Sequence, residues 1–201
     1  MTTSSVVSKK SEDISWFDYK MWPTSTRAIV ASVLFAVCFS ATMQITERID
    51  TALDGGVLDI LGGTFRNVWY WPAILYFGMT GGLIAANFNP IIAVLTATGP
   101  LAPAWFFVNT AHVVPAAFLA QNAFEKRRAT KEGINLKSFL MTMVIPAHFF
   151  SLLPMIPVWL FVFKLPILFA TGLFFLGWFT SIPGGIIGFY LCRSIGRSGL
   201  V

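Results

Sequence analysis

The run from Asn67 to Phe124 is 58 residues long and contains no Lys, Arg, Asp or Glu. As helix it would extend roughly 87 Å, close to three hydrocarbon cores of about 30 Å each. A soluble domain carries about a quarter charged residues, whereas this 201-residue chain has 11% charged and 56% hydrophobic residues. Lipid is therefore the expected solvent. Backbone groups in lipid must satisfy one another internally, so the spanning elements are expected to be α-helices.

Charge then orients the chain. Residues 28–46 are uncharged and long enough for a first crossing. The segment 47–66, with Glu47, Asp50, Asp54 and Asp59, reads as an outside loop with a short amphipathic piece. Segment 125–137, EKRRATKEGINLK, is strongly basic and reads as inside. An odd number of crossings must join the two, so the uncharged run is predicted to cross three times, dividing near Asn87–Pro90 and again at 99–103. Its middle piece, about 88–102, is flanked by Pro90, Pro100 and Pro103 and is expected to be short, tilted or partly re-entrant. Residues 138–163 go out, the chain turns at Lys164, and 165–191 return. Eleven of the fourteen cations then lie inside, against Arg48, Arg66 and Lys164 outside.

The predicted fold is thus an all-α integral membrane protein of the cell membrane. Residues 1–25 form a cytoplasmic tail with an interfacial helix over 11–24, 26–192 a six-helix membrane domain, and 193–201 a cytoplasmic tail. Both termini are inside, and the polar first 27 residues argue against a cleaved signal peptide. The net charge of +5 is topological, with no nucleic-acid partner implied. Cys38 and Cys192 fall at different depths, so no disulfide is expected.

Small residues recur every four positions at Ser32, Ala36 and Ser40 in the first helix, at Gly78 and Gly82, and at Gly177, Ser181 and Gly185. Such faces pack helices within one bundle or dock a partner subunit. Pro115, Pro146, Pro154, Pro157 and Pro183 fall inside predicted crossings, where each frees a carbonyl and bends its helix. His112 and His148, the only histidines, lie at similar depth, and Asn109 shares the face of His112. With Gln44, Glu47, Trp69 and Trp71 they outline an outward-facing pocket of aromatic walls and convergent polar groups. The two histidines suit ligand hydrogen bonding, plain packing, or a haem or metal site; the tryptophans also suit interfacial anchoring. No phosphate-loop, zinc-protease or serine-hydrolase motif is present in the sequence, so no catalytic residue, and no cofactor, is assigned.

The length, the entry Thr26-Arg27 into a first helix of small residues, the long following loop and the closely spaced second and third crossings resemble one family. It is that of the substrate-binding S components of energy-coupling factor vitamin transporters, in particular the branch for thiamine-precursor pyrimidines. The resemblance implies a small-molecule ligand bound from outside under segment 47–66, a scaffold membrane protein and a pair of ATPases as partners. It also implies docking to that scaffold through an Ala-x-x-x-Ala pair, whose place is taken here by Ser32 and Ala36. The rival expectation is a non-catalytic or haem-carrying membrane subunit of a larger enzyme complex.

Overall fold

The computed structural model describes residues 12–55, 60–97 and 102–199, and within these every regular element is helical. Five helices are long and apolar enough to cross a membrane, which is compatible with a multi-pass membrane protein. They are α1 (Thr26–Asp54), α2 (Ile60–Leu95), α3 (Trp105–Glu125), α4 (Leu136–Val162) and α5 (Ile167–Ser198). Side chains such as Leu34, Phe107, Phe161 and Leu168 stand exposed around the outside of the bundle, as a lipid-facing surface requires.

α1 starts where Ser25, in extended conformation, accepts the Ala28 N–H, and ends at Gly55 in the left-handed region. The acidic segment therefore does not open into a loop at Glu47. Helix continues through Glu47 and Asp50, because both carboxylates are buried against α2. The Asp50 carboxylate accepts the Leu61 and Gly62 N–H groups at 3.1 and 2.9 Å, capping the amide end of α2. Asp59 lies outside the described residues.

α2 is not one rod. Phe77 (φ −125°, ψ 16°) and Gly78 (φ 61°, ψ −158°) leave helical geometry, and the chain folds back there. In a straight helix residues 74 and 82 would stand about 12 Å apart. Here a Cβ at Gly82 would lie 2.7 Å from Ile74 Cγ1, and Ala73 and Ala85 share a cluster with Ala36. The two legs, 60–76 and 79–95, lie side by side against α1. The uncharged run thus divides at Phe77–Gly78 and not near Asn87–Pro90, where helix continues past Pro90 to Leu95. The second expected division, 99–103, falls where α2 has ended and α3 has yet to begin; residues 98–101 lie outside the described ones.

Residues 12–25 are not the interfacial helix that their Ile14, Phe17, Met21 spacing predicts. They form an extended strap across the basic end of the bundle. Ile14 exchanges both backbone hydrogen bonds with Ile134, the Trp16 indole donates to the Phe124 carbonyl, and the Met21 carbonyl accepts the Met79 N–H at 2.7 Å. A lone helix would leave the Met79 amide beside the chain break unpaired; the strap satisfies it. Segment 125–137, this strap and the end of α5 with Arg193 and Arg197 all gather at that end, Gly196 lying against Tyr76.

α4 carries π-helical turns at Leu140–Val144 and Val158–Val162, beside Pro146 and Pro157. α5 is interrupted at Thr180, and its second part packs closely on the first leg of α2. A Cβ at Gly184 would overlap the Thr64 carbonyl, so this crossing needs glycine. Ser32, Ala36 and Ser40 are likewise buried, Ser32 beside Gly81 and Ala36 beside Ala73 and Ala85. The face expected to dock a scaffold subunit is thus occupied by the chain's own α2.

Candidate functional site

A polar cluster lies inside the bundle, supplied by α1, both legs of α2, α3 and α4. Glu47, Arg66, Asn67, Asn89, Asn109, His112 and His148 are all at most 5% exposed. Their proximity depends on the fold-back of α2, which brings Arg66 on one leg and Asn89 on the other to the same end of α1. Asn89 Nδ2 donates to Glu47 Oε1 at 2.8 Å. Asn109 joins the legs from α3, accepting from Arg66 Nη1 at 3.5 Å and donating to the Ala86 carbonyl at 2.8 Å. The Arg66 guanidinium also stands 5.8 Å over the Trp105 ring, and its field reaches Glu47, His112 and His148.

One histidine is committed to structure. The Gly177 carbonyl, 3.0 Å from His148 Nε2, can only accept, so Nε2 carries the proton and Nδ1 accepts from Asn67 Nδ2 at 3.4 Å. Asn67 in turn donates to the Gly63 carbonyl and accepts the Trp71 indole N–H at 3.1 Å. This chain from Trp71 to Gly177 fixes His148 as a neutral tautomer with both nitrogens in use. A haem or metal there would have to break two buried bonds, and among the described residues there is no group of three potential metal-ligating His, Cys, Asp or Glu side chains.

His112 is the opposite case. It is fully buried, with Tyr70, Trp71 and His148 ring centroids 5.4, 6.2 and 5.6 Å away in edge-on arrangements, and neither ring nitrogen meets a protein partner. Asn89 Oδ1 is also buried without one. A buried polar atom left unpaired costs about 1–3 kcal/mol, and buried polar groups in folded proteins nearly always find a partner. The cluster therefore presents one donor and one acceptor from the His112 ring and a carbonyl acceptor from Asn89. Comparison with known protein families, with curated proteins and with solved structures returned no match.

Of the residues singled out in the sequence, Glu47, Trp71, Asn109, His112 and His148 meet in this cluster. Trp71 is wholly buried, which removes it from the interfacial anchors. Gln44 and Trp69 lie along the flank instead, Gln44 Oε1 accepting from Thr96 and the Trp69 indole donating to Thr42. Arg66, Asn67 and Asn89 were not anticipated. Their signal was present: Arg66 is the last charge before the uncharged run, Asn67 opens it, and Asn89 is a polar amide within it.

Proposed function

We propose that this chain is the membrane-embedded, small-molecule-binding subunit of a multi-component uptake transporter in the cell membrane, as its resemblance to vitamin-transporter S components implies. The observation that carries the reading is the His112 ring, buried among aromatic edges with two hydrogen-bonding atoms that the protein leaves unused. A site of this kind takes a small ligand with complementary donors and acceptors, and discriminates strongly because a ligand lacking them leaves buried groups unpaired. Glu47, Asn89 and Asn109 set the polar side of the site, Tyr70 and Trp71 its aromatic side, and His148 holds the wall. A scaffold membrane protein and ATPases would supply the work, docking on exposed surface such as the Ile29, Val33, Leu34 and Val37 face of α1, since the small-residue face is already covered.

This reading includes six crossings with both termini in the cytoplasm. Each leg of α2 has seventeen residues, about 26 Å of helix, enough for a slightly short span. The basic end would then face the cytoplasm. A cysteine introduced at Thr130 should resist a membrane-impermeant maleimide applied to intact cells, whereas one at Lys164 should react. Reaction at Thr130 would overturn the topology.

The ligand reading is tested by mass spectrometry of the solvent extract from protein purified in mild detergent. A stoichiometric small molecule is expected from the parent protein, reduced at least about tenfold by His112→Ala, the scale of losing two buried hydrogen bonds. ATPase subunits are expected to co-purify. A Soret band, or an extract unaffected by His112→Ala, would defeat the proposal.

A further inference from the structure

A groove of about 1310 Å³ opens between α3 and α4 on the outside of the bundle. Phe106, Pro115 and Phe118 wall it on one side, and Phe150, Pro154 and Pro157 on the other. It follows α3 from Ala104 to Leu119, about 22 Å of helix. Among the residues lining it only Asn87 and Thr110 are polar, and they meet each other, Thr110 Oγ1 to Asn87 Oδ1 at 3.4 Å.

That pair lies directly outside the buried cluster. Asn87 follows Ala86 and Thr110 follows Asn109, and it is Asn109 Nδ2 that donates to the Ala86 carbonyl on the inner side. Ala111, in the groove wall, precedes His112. The seam between the second leg of α2 and α3 is therefore polar from the groove through Asn109 to Arg66, in a wall that is otherwise apolar. Polar side chains at membrane depth are costly and face a protein interior or a polar path. A partner helix packed in the groove would bury this pair without using it.

We propose that the groove is a lateral entrance from the bilayer for a ligand with an uncharged polar head and an apolar tail. The head passes the Asn87–Thr110 seam into the cluster while the tail stays among the phenylalanines and prolines. An uncharged head fits because the buried carboxylates already have hydrogen-bond donors: Asn89 Nδ2 donates to Glu47, and the first amides of α2 donate to Asp50. This inference rests on the cluster being a ligand site and adds the class of ligand and its route.

The test uses the full chain in phosphatidylcholine vesicles, photolysed with a long-chain primary alcohol bearing a diazirine in its tail. The matching carboxylic acid and a diazirine-tailed phosphatidylcholine serve as comparisons, and labelled peptides are mapped by mass spectrometry. The alcohol is expected to label the Phe118, Leu119 and Phe150 peptides at least fivefold more than the exposed Leu34–Val37 face of α1. Asn87→Leu combined with Thr110→Val should reduce that excess to the α1 level, and Ala111→Phe, which narrows the groove at a different point, should do the same. Equal labelling of both faces, labelling by the phosphatidylcholine as strong as by the alcohol, or indifference to both variants overturns the lateral entrance. If the extract of purified protein then still holds a water-soluble ligand that His112→Ala removes, the ligand site stands and only its route is wrong. If His112→Ala has no effect on retention, the site itself fails.

Discussion

Gly78→Ala is expected to cost more than about 4 kcal/mol, at the extreme end of single substitutions and comparable to the whole stability of many domains. Two effects combine. The backbone at Gly78, φ 61° with ψ −158°, is a conformation that L side chains rarely adopt and that costs about 1–3 kcal/mol where it is forced. A Cβ built there would also lie 2.3 Å from the Lys20 carbonyl oxygen and 2.4 Å from that of Met21. These are backbone atoms of the strap, so the clash cannot be relieved by rotating a side chain. Moving the strap breaks the hydrogen bond from the Met79 N–H to the Met21 carbonyl and leaves a backbone donor unpaired beside the chain reversal. Alanine at this position also favours continuing the helix, which would pull the legs of α2 apart and dismantle the polar cluster. The expected result is loss of monodisperse protein on gel filtration, or a melting temperature lowered by well over about 10 °C in detergent. Gly172→Ala is the control, because that glycine sits in α5 with nothing within 4 Å of its would-be Cβ. A Gly78→Ala protein that melts together with the Gly172→Ala control would mean that the fold-back does not exist.

The same position shows what the sequence hides. The helical class was legible from charge: a 58-residue uncharged run between two charged segments predicts helices long and apolar enough to span a membrane, and five such helices are found. Where that run reverses was not. Pro72 and Pro90 carry the usual breaking signal, yet helix runs through both, while the break falls at Phe77–Gly78. What decides it is tertiary: Met21 and Lys20 arrive from a strap more than fifty residues away and offer the carbonyl that a chain reversal needs. The strap departs from its sequence pattern for a related reason. Ile14, Phe17 and Met21 do share a helical face, but Ile14 is buried by pairing with Ile134 as an extended segment, and helical periodicity over so few residues does not outweigh two backbone hydrogen bonds to a distant partner. The site was half legible. His112 and Asn109 were found because polar residues stand out in an apolar helix, and Glu47 because it closes one. A charge at the edge of an apolar run usually marks its end, which by sequence places Arg66 in a loop. Here the bundle buries it by giving it Asn109, a carboxylate in reach and the face of Trp105.

Arg66→Met, which keeps much of the length and volume, is expected to destabilise the protein by about 3–5 kcal/mol, the usual cost of leaving one charge of a buried set uncompensated. Glu47 is 5% exposed and would keep only Asn89 as a hydrogen-bond partner in the cluster, with no cation to offset its charge. Asn109 would lose its contact to the first leg of α2 at the same time, and Trp105 its cation. If the electrostatic term dominates, adding Glu47→Gln should recover at least half of the loss, because the neutral amide still accepts from Asn89 Nδ2 and no charge remains to be compensated. Melting curves of the parent, the two single variants and the double variant give the coupling directly, and residues in one network are expected to deviate from additivity by about 0.5–3 kcal/mol. Additive losses would mean that Arg66 and Glu47 act on the fold independently, through Asn109 and Asn89 respectively. Non-additive recovery would instead establish Arg66 as the counter-charge that lets a carboxylate sit inside an apolar bundle, and so as the residue that keeps the polar cluster in place beside His112.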